Sequence, residues 1–104
     1  MLDFTDNEIK KLDNFPRFER LSCLMVSNNH VSRLSPLLGE QLSSLHTLVL
    51  TNNRVEALSE IDHLVGCTKL TSLSLVGNPV ARRPHYRLYA IHKFPGLKVP
   101  PSPC

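Results

Sequence analysis

The sequence predicts an α/β solenoid of about four coils. Each coil lays one short parallel strand on a concave face and a short helix or turn on the convex face, and a C-terminal capping helix closes the stack. Three observations predict it. Asparagines recur at 7, 29, 53 and 78, with 22 residues from 7 to 29, 24 from 29 to 53 and 25 from 53 to 78. Three of them end one phrase of apolar residues: Leu21, Leu24, Val26, Asn29, Val31; then Leu45, Leu48, Leu50, Asn53, Val55; then Leu70, Leu73, Leu75, Asn78, Val80. The chain of 104 residues is one domain, just long enough for the three or so coils that a repeat protein needs to bury a continuous core.

The phrase, L-x-x-L-x-L-x-x-N-x-L, is the leucine-rich repeat signature. A shortened first copy runs Leu2, Phe4, Asn7, Ile9. In each copy, alternation sends residues such as Leu24 and Val26 inward and Cys23, Met25 and Ser27 to the concave side. Asn7, Asn29, Asn53 and Asn78 then turn the chain out of the strand. Their amides are expected to bond backbone groups of the turn and of adjacent coils, because a buried polar group needs partners.

The convex side follows in order. The tight Asn14-Phe15-Pro16 connection predicts a turn or a single 3₁₀ turn. Ser35-Pro36 and Ser59-Glu60 read as helix starts, with serine as N-cap, and predict short helices over 36–43 and 60–66. After Pro79-Val80, Pro84 suits a first helical position, and a helix follows over 85–93 until Phe94-Pro95-Gly96 stops it. Tyr86, Tyr89 and Lys93 share one face of it. Leu88 and Ile91 share another, which is expected to pack over the last coil, since an open solenoid needs its end covered. The domain spans 1–99 with its cap at about 79–99, and the proline-rich 100–104 reads as a disordered tail. The N-terminal strand reads as an open edge with apolar side chains.

Composition narrows the class of function. No run approaches the roughly 18 apolar residues of a membrane span, and the N-terminus has no apolar h-region of a signal peptide. Three scattered cysteines at 23, 67 and 104, without cysteine-rich caps, point to a reducing compartment, cytosol or nucleus. The histidines at 30, 46, 63, 85 and 92 have no close metal-ligand spacing. No phosphate loop or nucleophile elbow is present. Cys23 and His46 lie at neighbouring register positions and make a poor catalytic pair. The expectation is a non-enzyme with no catalytic residues, metal, cofactor, small-molecule substrate or membrane.

The concave positions are Asp3 and Thr5; Cys23, Met25 and Ser27; Thr47, Val49 and Thr51; Ser72, Ser74 and Val76. Small hydroxyls dominate, with an apolar centre at Met25 and Val49, and only Asp3 is charged. Asp6, Asn28 and Asn52 add a polar edge, followed by Glu8, His30 and Arg54. An apolar centre with a polar rim suits a protein partner, whereas nucleic acid calls for Lys and Arg along the face. Thr, Ser and Val are also plain strand formers, but that does not account for the scarcity of charge. Met25, Val49 and Thr51 are the central residues of the expected interface, with Arg54 at its rim. Net charge is +3, and residues 82–98 hold Arg82, Arg83, Arg87, Lys93 and Lys98 without an acidic residue. The preferred reading is a solvated basic end; Arg82, Arg83 and Arg87 are the residues that would lie near RNA.

Beyond the repeat, Leu2–Asp13, Leu50-Thr51-Asn52-Asn53, and Gly77-Asn78-Pro79-Val80 followed by His85–Lys93 resemble the A-prime family of the U2 small nuclear ribonucleoprotein, over about residues 2–99. The resemblance implies a nuclear splicing component whose concave face grips B-double-prime, an RNA-recognition-motif partner. It implies contact with U2 RNA through that partner. By the same comparison the chain reads as truncated at both ends, with Pro100-Pro101 where the family closes its cap with Leu-Asp; proline has no amide hydrogen to give a closing ladder. The other readings are a different intracellular repeat adaptor, phosphatase-regulator-like or axonemal, or a decayed truncated paralogue.

Overall fold

A computed structural model describes residues 1–97; Lys98, Val99 and the 100–104 tail, with the Pro100-Pro101 cap closure, lie outside the described residues. The chain makes β1 (Leu2–Asp3), β2 (Lys11–Leu12), β3 (Cys23–Met25), β4 (Arg33–Leu34), α1 (Leu38–Gln41), β5 (Thr47–Val49), α2 (Leu58–Ile61), a 3₁₀ turn (Asp62–Leu64), β6 (Ser72–Ser74), a second 3₁₀ turn (Pro79–Arg82) and α3 (Tyr86–Lys93). β1, β3, β5 and β6 form one parallel sheet in that order. Its register sets Leu2 beside Leu24, Leu24 beside Leu48 and Leu48 beside Leu73. The repeated leucines therefore stack coil on coil, and Leu24, Val26, Leu45, Leu48, Leu50 and Leu75 are buried. The predicted α/β leucine-rich repeat solenoid is the fold observed.

The asparagines fasten the coils. Asn53 Nδ2 donates to the carbonyls of Val26, Leu50 and Thr51 at 2.9, 3.0 and 3.2 Å, and its Oδ1 accepts the Val31 amide at 3.0 Å. Asn29 does the same between the first and second coils, and Asn78 between the third and fourth. Each side chain thus joins its own turn to the coil before it. Asn7 differs: it is exposed and bonds only Phe4 and Thr5 carbonyls of its own turn.

The residue ahead of each asparagine is in the left-handed region, with φ of 63° at Asp6, 57° at Asn28, 57° at Asn52 and 82° at Gly77. Asn and Asp tolerate this conformation better than other L-residues. The last coil has glycine because a Cβ at 77 would fall 2.2 Å from Asn52 Oδ1 and 3.2 Å from Asn52 Cα. Gly77→Ala is expected to cost about 1–2 kcal/mol from left-handed strain. Chemical denaturation of the two proteins checks this; equal midpoints with equal slopes would refute it.

The convex side departs from the sequence expectation in its details. The first connection holds no 3₁₀ turn; Asn14 takes φ 59° and the segment is irregular. Phe15 and Phe18 fill it edge to face, with ring centres 6.3 Å apart. The expected helices over 36–43 and 60–66 are single turns at 38–41 and 58–61, the second running into the Asp62–Leu64 3₁₀ turn. Neither serine is the N-cap: Leu37 and Ala57 take that place without a side-chain bond. Ser35 Oγ accepts the Leu37 amide at 3.2 Å, and Ser59 sits inside its helix. Packing between coils sets these limits instead. A Cβ on Gly39 would meet Gly66 Cα at 2.7 Å, so two backbones approach there as closely as glycine permits. Glu60 and His63 finish the small β2–β4 sheet: Glu60 Oε1 accepts the Leu34 amide and His63 Nδ1 donates to the Leu34 carbonyl, both at 2.8 Å.

The cap helix lies where expected but is turned the other way. Pro84 stands two residues before its first residue, with His85 as N-cap. Tyr86, Ala90 and Phe94 are buried against the last coil, while Leu88 is 70% and Ile91 43% exposed. The ring of Tyr86 fills the space that the sequence reading gave to Leu88 and Ile91. Tyr89 donates to Asp62, which holds its phenol above the ordinary value, and Lys93 pairs with Asp62 at 3.6 Å. The Tyr86 hydroxyl is buried without a hydrogen-bond partner among the described residues, and burial pushes its pKa up to about 12. Removing an unsatisfied buried polar group is neutral or favourable. Tyr86→Phe should therefore leave the melting temperature unchanged or raise it by a few degrees, and a fall of 5 °C or more would contradict this burial.

Candidate functional site

The strand register arranges the concave residues in rows. Asp3, Met25, Val49 and Ser74 lie side by side across the sheet, as do Cys23, Thr47 and Ser72. Thr5, Ser27, Thr51 and Val76 continue the strands, tied by the Asp6–Ser27, Asn28–Thr51 and Asn52–Val76 backbone bonds. Apart from the exposed Asp3 and Ser72, every one of these side chains is half-buried. The sheet thus brings together all the predicted concave residues, with Met25 and Val49 adjacent at its centre.

The polar groups are held in place. The hydroxyl of Thr5 donates to Asp3 Oδ1 at 2.5 Å and the Thr5 amide at 2.9 Å, and these two bonds hold the Asp3 carboxyl below its ordinary value. Asp3 is therefore an ionised corner on an otherwise uncharged face. Thr51 Oγ1 and Ser74 Oγ share a hydrogen bond of 2.8 Å. Along the edge, Asn52 Nδ2 donates to Asn28 Oδ1 at 3.0 Å and Asn28 Nδ2 to Asp6 Oδ1 at 2.9 Å. Sequence reasoning saw these three as a polar edge but missed the ladder. Its signal was the Asx residue before each of the first three repeat asparagines.

Arg54 is set apart from the rows. It follows Asn53 out of the sheet and, exposed, lines a cleft of about 440 Å³ with Ser32, Arg33, Glu56, Ala57 and Glu60. The three cap arginines are exposed but not alike. Arg82 ends the second 3₁₀ turn, Arg83 Nε donates to the Glu56 carbonyl at 2.7 Å, and Arg87 lies in the first turn of α3.

Cys23 faces Thr47 in the register, and the His46 ring donates to the Ser44 carbonyl at 2.8 Å, so the two form no pair. Cys67 is buried, which pushes its thiol up to about 11 and keeps it protonated. Among the described residues no group of three His, Cys, Asp or Glu side chains could hold a metal ion. No helix of the described residues is long and apolar enough to cross a membrane.

A solenoid that presents a shallow, nearly uncharged sheet, with its inward leucines stacked behind, defines a leucine-rich repeat protein. Comparison agrees: residues 1–100 match the family model described as "Leucine-rich repeat", and the chain belongs to that family. Within it, the chain is similar to the U2 small nuclear ribonucleoprotein A' of Arabidopsis thaliana, 51% identical over 98 residues, covering 94% of this chain and 39% of that protein. The Homo sapiens U2 small nuclear ribonucleoprotein A' is 46% identical, with 94% and 38% covered. A solved structure, "Crystal structure of Drosophila melanogaster SNF/U2A' complex", matches with a TM-score of 0.89 at 43% identity, over 93% of this chain and 56% of that one. The chain thus spans about two fifths of the length of the curated relatives it matches. The resemblance to the A-prime family is borne out.

Proposed function

We propose that this chain is a non-enzymatic docking module of the U2 particle in the nucleus, and that its concave sheet holds an RNA-recognition-motif protein, B-double-prime. The observation that carries the reading is the pair of adjacent apolar side chains, Met25 and Val49, on a sheet otherwise lined by hydroxyls and flanked by an asparagine ladder. Such a face offers a desolvated centre and a hydrogen-bonding rim. It lacks the Lys and Arg that would neutralise phosphates, so RNA is reached through the partner. The solved relative, a complex of U2A' with SNF, supports a protein on this fold. Arg82 and Arg83 precede the cap helix and would add positive charge beside RNA held by the partner; Arg87 flanks an apolar pair on the helix instead.

Affinity capture from nuclear extract with the 104-residue chain tests the reading. Recovery of B-double-prime and other splicing proteins is the expected result. Recovery of phosphatase or microtubule proteins in their place would assign the chain to another class of adaptor.

A further inference from the structure

The cap helix has a second apolar side. At about 100° per residue, the buried Tyr86 and Ala90 point one way, Leu88 points opposite them, and Ile91 lies about 60° to one side of Leu88. Arg87 lies beside Ile91 and His92 beside Leu88. Covering the end of a solenoid requires one apolar face of the helix, and Tyr86, Ala90 and Phe94 already provide it. The exposure of Leu88 and Ile91, 70% and 43%, is left without a role in the cap.

Along the chain the charge around this pair has one sign, and the acidic side chain that does reach the helix, Asp62, is held by Tyr89 and Lys93. Residues 63–97 contain Lys69, Arg82, Arg83, Arg87 and Lys93 and no Asp or Glu. Arg83 is tied to the Glu56 carbonyl and Lys93 to Asp62. Arg82 and Arg87 are exposed and in no ion pair among the described residues. Arg82 ends the 3₁₀ turn that packs against α3.

We propose that the outer face of α3 docks an acidic amphipathic segment of another protein. Its apolar side chains cover Leu88 and Ile91, and its carboxylates lie beside Arg87. Charge complementarity selects this occupant. A second copy of the chain would set this positively charged patch against an equally positive one, placing like charges together. RNA would be drawn to the arginines but gains nothing from two aliphatic side chains. With only two apolar anchors the contact is weak and salt-sensitive. It does not rest on the concave docking surface and survives its failure.

The test uses the whole chain and three fluorescent probes. One is a 14-residue peptide with leucine at i, i+3, i+4 and i+7 and glutamate elsewhere; the second replaces glutamate by lysine; the third is an oligouridylate. Anisotropy should show the glutamate peptide binding at least tenfold more tightly than the lysine peptide. Leu88→Ser/Ile91→Ser should weaken it at least tenfold while the chain still melts cooperatively, since Leu88 is mostly and Ile91 partly exposed. Arg87→Glu should narrow the gap between the two peptides. Equal binding of the peptides, no binding of either, indifference to the Leu88/Ile91 change, or binding of the oligouridylate alone would each overturn the proposal.

Discussion

Asn53→Leu is expected to lower the stability of the chain by about 3–4 kcal/mol. The substitution keeps the branched shape of the side chain and raises its hydrophobicity. Four backbone groups lose a bond. The Val31 amide loses its acceptor, and the carbonyls of Val26, Leu50 and Thr51 each lose one of two donors, keeping Asn29 Nδ2, Asn78 Nδ2 and the Asn28 amide respectively. Asn53 is 5% exposed, so water can replace few of these bonds. The unpaired buried amide costs about 1–3 kcal/mol, each of the three lost carbonyl bonds adds about 0.5–1.5 kcal/mol, and partial relaxation keeps the total near the low end of their sum. In a domain of this size 1 kcal/mol moves the midpoint by about 4–8 °C, so a fall of 12 °C or more is expected in a thermal melt. Asn7→Leu is the internal control. Asn7 is exposed and bonds only its own turn, so the same change there should move the midpoint by less than about 4 °C. Equal losses at the two sites would show that the asparagines do not act by joining coils.

The contrast between Asn7 and Asn53 also marks what the sequence could show. The strands were legible because alternation and a fixed asparagine leave one register that turns the strand leucines inward. Leu2, Leu24, Leu48 and Leu73 align as that register requires. The concave rows follow from the same alternation, and all the predicted face residues fall on them. The convex side was less legible, because its helices are single turns. Cap signals such as Ser35-Pro36 and Ser59-Glu60 assume a helix long enough to need its amides satisfied. Here the helix limits depend on how closely Gly39 and Gly66 bring two coils together. That contact joins residues far apart in the chain and leaves no local pattern. The cap helix misled for another reason: both of its sides are apolar. Aliphatic Leu88 and Ile91 outweighed Tyr86 by composition, yet the tyrosine ring is the group that fills the end of the core. Arg54 shows the same limit. Its place in the repeat puts it next to the sheet, but the turn after Asn53 carries it into the Arg33–Glu60 cleft.

Met25→Asp/Val49→Asp carries the other large effect, a loss of at least a hundredfold in partner affinity. The two residues are adjacent in the register, with Asp3 next to Met25. Two carboxylates there would have to be buried against the partner without counter-charges, at several kcal/mol each if fully desolvated. Like charges side by side on the sheet cost only about 0.2–1 kcal/mol in the free chain, so the variant should still fold with a slightly lower melt. Met25→Ala/Val49→Ala, which adds no charge, should fold normally and lose about tenfold, as expected for central apolar anchors.

The concave sheet is proposed as a protein-docking surface. Titration calorimetry of the 104-residue chain with the B-double-prime RNA-recognition motif tests it most directly. The parent should bind, the alanine pair more weakly, and the aspartate pair not measurably. Binding of the aspartate pair at parental affinity, or no binding by a parent chain that melts cooperatively, would contradict it.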